Sequence, residues 1–150
     1  MTRMSVLHTI LPLDDKCAEW LDSENIAHPN PSADSRFPTP GEIVSTAKLM
    51  AGYTMDASAD VRSGEWSATI TKNNSPDAWA FLRVSNYTSD EQPHEICFPK
   101  GSPEVIFSIV ERLTHCCGPL VVVDDSAAKP VVVCPNDSVV ELLRMYSSDS

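Results

Sequence analysis

Three groups of side chains in this sequence have the types and spacing to suggest chemistry: a vicinal thiol pair, an adjacent carboxylate pair and four histidines. Cys116–Cys117 could bind a soft metal or close a strained ring. The spacing differs from the C-x-x-C of redox centres, and the pair ends a segment of helical periodicity. The negative end of a helix dipole raises a thiol pKa and blunts its reactivity. Packing is therefore the expected role, with one of the two completing the apolar stripe of its helix. Cys97 beside Phe98, and Cys134 in a β run, read the same way. Asp124–Asp125 follow a run of valines, where paired carboxylates recur in magnesium and phosphoryl-transfer sites. No Gly-rich phosphate loop precedes them and no Lys-Ser/Thr pair appears, so a solvated turn accounts for them with fewer assumptions. His8, His28, His94 and His115 fall in four separate segments and read as isolated surface or half-buried residues, with no metal site expected.

Other catalytic signatures are missing. There is no G-x-S-x-G and no S-x-x-K with its companion motifs. The 5 glycines leave little room for the close backbone approach that dinucleotide sites need, and no cofactor is expected. The formal net charge is −10, a field that repels nucleic-acid phosphates and anionic membranes and favours basic partners. The 11 Lys and Arg are scattered rather than gathered on one face. No apolar run approaches the roughly 20 residues that span a bilayer. Val6–Leu13 is interrupted by His8 and Pro12 and precedes no small-residue cleavage site, which is unlike a signal peptide. Five unevenly spaced cysteines, an odd number, suit reduced thiols and a cytoplasmic location.

The elements that would position these residues can be read in order. A length of 150 residues suits a single domain. Val6–Leu11 reads as a strand, and Asp14–Asp15 cap a helix to Ile26 with Cys17, Trp20 and Leu21 on one face. Residues 27–38 form a proline-rich surface loop. Thr39-Pro40-Gly41-Glu42 is a capping box with proline at the first helical position, opening a helix that buries Ile43, Ala47 and Met50. Strand patterns follow over Tyr53–Val61, Glu65–Lys72, Asp77–Tyr87 and Glu95–Pro99, with turns at Ser63-Gly64 and Asn73-Asn74-Ser75-Pro76. Ser102-Pro103-Glu104 opens a helix to Cys117 with Val105, Ile106, Ile109, Val110 and Leu113 inward. Leu120–Val123 and Val131–Cys134 form a buried hairpin around residues 124–130. Asn136 or Asp137 then caps a last helix with Val139, Val140, Leu142 and Leu143 inward. The order β-α-α-β-β-β-β-α-β-β-α predicts an α+β domain, a mainly antiparallel sheet with three to four helices packed on it.

The segment Ser102–Val133, SPEVIFSIVERLTHCCGPLVVVDDSAAKPVVV, combines a helix ending in Gly-Pro with a hairpin that has an acidic turn, and a short final helix follows it. It resembles, over about a fifth of the chain, small acidic bacterial proteins of the immunity class, which neutralise cognate toxins of contact-dependent or secretion-system competition. The resemblance implies a non-enzymatic, stoichiometric inhibitor whose acidic face covers a basic toxin or effector. The surfaces that could serve are Asp56, Asp60 and Glu65; Asp90 and Glu91; and Asp124–Asp125. Trp66, Trp79 and Tyr87 are expected in the core; facing outward they would be binding anchors within an acidic rim. The alternative is a small enzyme, or a metal- or small-molecule-binding domain, with its site near the Asp124–Asp125 turn and His94 or His115.

Overall fold

The computed structural model describes residues 6–126 and 129–148. The chain runs β1 (His8–Pro12), α1 (Asp15–Ser23), α2 (Pro40–Leu49), β2 (Tyr53–Asp60), β3 (Glu65–Lys72), β4 (Trp79–Val84), β5 (Ile96–Gly101), α3 (Pro103–Cys117), β6 (Leu120–Asp124), β7 (Val131–Val133) and α4 (Val139–Ser148). The strands form one antiparallel sheet in the order β2-β3-β4-β5-β1-β6-β7. The expected α+β architecture and element order are both present. β1 lies between β5 and β6, so it joins a β2–β5 meander to the β6–β7 hairpin.

Strand parity decides what each face meets. On one face Ile10, Trp66, Ala68, Ile70, Leu82, Phe98 and Val122 are buried in a single cluster with Ile43 and Ala47 of α2, Ile106 and Ile109 of α3, and Leu142 of α4. On the other face α1 covers only one half of the sheet. Its Cys17, Ala18 and Leu21 pack with Leu13 and with Val121 of β6, flanked by Leu11, Val123 and Val132. Over β2, β3 and β4 no helix among the described residues covers that second face. It presents Thr54, Asp56, Ser58 and Asp60, then Ser67, Thr69 and Thr71, then Trp79, Phe81 and Arg83, none of them fully buried.

Local signals hold where the determining contact is nearby. The Thr39 side chain accepts from the Glu42 amide at 3.0 Å and Glu42 reaches back to the Thr39 amide at 2.9 Å, closing the capping box. Gly64 takes a φ of +70° in the β2–β3 turn, a conformation that costs other residues free energy. Gly101 is required by space: a Cβ there would lie 2.7 Å from the Ala80 Cβ. A register shift between Phe81 and Arg83 bulges the β4–β5 ladder beside it.

Five expectations are corrected. Trp20 points to solvent, 37% exposed, because Ala18 rather than Trp20 completes the α1 stripe with Cys17 and Leu21. Val140 is 68% exposed and Tyr146 takes the inward place one turn beyond Leu142. The α4 cap is Ser138, whose hydroxyl accepts from the Glu141 amide, while Asp137 accepts from the Cys134 amide. Asp124 is not a solvated turn residue: it ends β6 on the inward parity of Leu120 and Val122 and is 6% exposed. Of the aromatic residues expected in the core, Trp66 and Tyr87 are buried, whereas Trp79 is half-buried on the open face.

Candidate functional site

The open half-sheet ends in a hairpin that sets the first group of acidic residues. Asp60 lies opposite Glu65 across β2–β3, and Asp56 is on the same face opposite Thr69. Asp60 is held in place by its own backbone: its carboxylate accepts from the Arg62 amide at 3.0 Å. The second group arrives through Tyr87. Its amide donates to the Gly64 carbonyl at 2.9 Å, docking the segment after β4 onto the β2–β3 turn. Its hydroxyl donates to Asp90 Oδ1 at 2.7 Å, a bond that holds the Tyr87 phenol above its ordinary pKa. Asp90 and Glu91 therefore stand at the same end of the sheet as Asp60 and Glu65. Asp56, Asp60 and Glu65 share the open face, while Asp90 and Glu91 lie at the same end of the sheet but beside the N-terminus of α2, on the helix-bearing side.

Ion pairs engage a different set of acids. Asp22 faces His28, Glu42 faces Arg36, Glu104 faces Lys72, Glu111 faces His115 and Arg112, and Glu141 faces Arg144. Among the described residues, none of these five carboxylates is ion-paired. Asp56, Asp60, Glu65, Asp90 and Glu91 are all exposed, so their charges face solvent.

A groove of about 700 Å³ adjoins this end, between the N-terminus of α2 and the Asp90–Pro93 segment. Its wall is fixed by Arg36, which forks onto Glu42 with two 2.7 Å bonds and reaches the Cys116 carbonyl at 3.3 Å. The Arg36 hydrogen bonds hold the Glu42 carboxyl below its usual range. The 27–38 loop is thereby clamped at its C-terminal end to α2 and to the end of α3. The same loop places Phe37 between two further grooves on the second sheet face, about 350 Å³ towards Trp20 and about 310 Å³ towards Thr9 and Cys97. Cys117 is buried and its thiol is pushed up to about 12, chiefly by burial, while Cys116 is exposed at the groove. The thiol pair divides as expected, one packing and one at the surface.

Asp124 and Asp125 stand apart, at the opposite end of the sheet. The Asp124 carboxylate accepts from the Tyr146 hydroxyl at 2.6 Å and from the Ser126 hydroxyl at 2.8 Å. Burial pushes the Asp124 carboxyl up, but these donors and nearby His8 outweigh it and hold the group below its usual range. His8 Nε2 is 2.9 Å from the Tyr146 oxygen and Nδ1 is 3.0 Å from the Val6 carbonyl. A buried His8–Tyr146–Asp124 chain thus ties β1, β6 and α4 together. Sequence reasoning misses it because its members lie far apart in the chain; the inward parity of His8 with Ile10 is the one available signal.

The residues named for a small-molecule site do not converge. His94 is buried against Tyr87, His115 pairs with Glu111 near the end of α3, and Asp124 lies in the chain just described. Glu111 and His115 are four residues apart on α3, so His115 is not isolated as its sequence context suggested. Glu111 also accepts from the Asn136 amide at 2.9 Å, which fastens the β7–α4 turn to α3. Among the described residues no group of three His, Cys, Asp or Glu side chains is placed to hold a metal ion, and no helix is long and apolar enough to cross a membrane. Comparison with known proteins finds no matching family model, curated protein or solved structure.

Proposed function

We propose that this chain is a non-enzymatic protein-binding module of the immunity type, which covers the basic surface of a cognate toxin or effector with the acidic end of its sheet. The observation that supports this reading is the row of exposed carboxylates without ion pairs, Asp56, Asp60 and Glu65, on the open face of the β2–β3 hairpin, with exposed Asp90 and Glu91 at the same end of the sheet. Acids left without internal cations raise the rate of encounter with a basic partner and supply ion pairs at its rim. The open face beside them carries half-buried Trp79 and Phe81, the kind of aromatic anchors on which interfaces concentrate their energy. Asp124 has no part in this surface, since its carboxylate is already engaged inside the fold.

The test is capture of partners from a native lysate by the wild type and by the Asp56→Lys/Asp60→Lys/Glu65→Lys variant, at low and high salt. One basic protein retained near one-to-one by the wild type, loosened by salt and lost by the variant, is expected. Equal retention by the variant, or no basic protein held by either, overturns the reading. Protection of cells expressing the captured protein would then establish the inhibitory role.

A further inference from the structure

We propose that the protein pairs with a second copy of itself along β2, the two edge strands running antiparallel about a two-fold axis through Ala57. β2 is the terminal strand of the sheet, and among the described residues no strand lies on its outer side. Its eight residues contain no proline or lysine, and its ladder with β3 has no bulge, so the usual steric guards of a free edge are absent.

The direction of the free backbone groups follows from the register. Asn73 donates to the Gly52 carbonyl at 2.7 Å, one step beyond the Tyr53–Lys72 pair. Alternation in an antiparallel ladder then turns the amides and carbonyls of Thr54, Asp56, Ser58 and Asp60 towards β3. Those of Met55, Ala57 and Ala59 point outward. Tyr53 N–H is used by the Met50 carbonyl and the Val61 carbonyl by Gly64, which sets the limits of the free stretch.

Only one register of self-pairing uses this whole stretch without conflict. With Ala57 opposite Ala57 of the second copy, Met55 meets Ala59 and Tyr53 meets Val61. Exposed Ala57, Ala59 and Val61, the last 61% exposed, gain apolar neighbours on the helix-bearing face. On the other face Asp56 falls opposite Ser58 and Asp60 opposite Thr54, so every carboxylate faces a hydroxyl. A two-fold axis one residue earlier sets Asp56 against Asp56, and one residue later sets Asp56 against Asp60; like charges directly opposed destabilise a ladder. Axes two residues away shorten the paired stretch. The acidic row thus selects the register rather than forbidding association. The open face with Asp56 and Asp60 stays uncovered, so this pairing does not depend on the toxin-binding reading.

Sedimentation of the purified protein, the Ala57→Pro variant and the Ser58→Lys variant over a range of salt tests the proposal. Each chain carries −10, so wild-type dimerisation should strengthen as salt shortens the Debye length from about 10 Å to about 3 Å. The Ala57→Pro substitution removes an outward N–H that β3 does not use, and the dimer loses two symmetry-related bonds. Association should weaken about tenfold or more. In the Ser58→Lys variant each new ammonium faces Asp56 of the second copy, twice over by symmetry, and the dimer should tighten. A protein monomeric at every salt concentration, or an Ala57→Pro variant that associates like the wild type, overturns the proposal. Folding of the proline variant is not essential to the test. Under mild oxidation Ala57→Cys should form a 57–57 disulfide, its Cα atoms being about 5.5 Å apart across a bonded pair. Ala59→Cys should not, and equal 59–59 cross-linking overturns the register.

Discussion

The two halves of the sheet share one hydrogen-bonded ladder and differ in what covers them. Around β1, β6 and β7 both faces are covered, by α3 and α4 on one side and α1 on the other. Around β2, β3 and β4 the described residues cover only one face, with α2 and α3. The sequences follow: Leu120–Val123 and Val131–Val133 are unbroken apolar runs, while Trp66, Ala68 and Ile70 alternate with Ser67, Thr69 and Thr71. A strand's period therefore reports how many of its faces are dry. In this molecule the wet face carries Asp56, Asp60 and Glu65, and none of the three has an ion pair among the described residues.

That division can be broken most forcefully at α1. Leu21→Ala empties a fully buried site against Leu13 and Val121 and should cost about 2–5 kcal/mol in denaturant unfolding. A cost near zero would mean that α1 is an ornament on the sheet and not its second cover. Tyr146→Phe comes next, at about 1–3 kcal/mol near neutral pH, because it removes the phenolic donor to buried Asp124. The folded Asp124 carboxyl lies below its usual value, so its stabilisation is present above pH about 3.9 and fades as pH falls through the folded value. The gap between the wild type and the Tyr146→Phe variant should accordingly narrow in acid; a gap independent of pH would leave Tyr146 with a packing role alone.

On the other half, Thr39→Ala opens the capping box of α2 and should cost about 1 kcal/mol, with faster amide exchange in the first turn of α2 and in the Arg36 segment. Smallest of all is neutralisation of the acidic end. Asp56→Asn, Asp60→Asn and Glu65→Gln should each shift stability by no more than about 0.5 kcal/mol. A large loss from any of them would place structural weight on the open face and erase the contrast.

How much of this was legible in the sequence depended on how far away the deciding contact lies. The capping box at Thr39, the buried stripe of α3 and the β3 alternation are settled within a few residues, and they read correctly. The choice of Trp20 or Ala18, and of Val140 or Tyr146, is made by the surface each helix meets, here Val121 and the Phe107–Tyr146 ring contact. Asp124 looked like a turn residue because its partners His8 and Tyr146 come from the two ends of the described chain. Of the candidate site, the Asp60–Glu65 pairing follows from the Ser63-Gly64 turn. The arrival of Asp90 and Glu91 beside it rests on the Tyr87–Gly64 bond, which no periodicity announces.

The place of β1 has a consequence for how the chain is made. Synthesis reaches β1 before the other six strands of this sheet, yet both of its neighbours, β5 and β6, come late. At roughly 5–20 residues per second it stays unpaired for several seconds while the β2–β5 meander can already close on itself. Its insertion between β5 and β6 is the long-range step that converts two local β units into one sheet, and contacts of such separation set slow folding rates. Pairing of β1 should therefore be the event that commits the nascent chain to its final form.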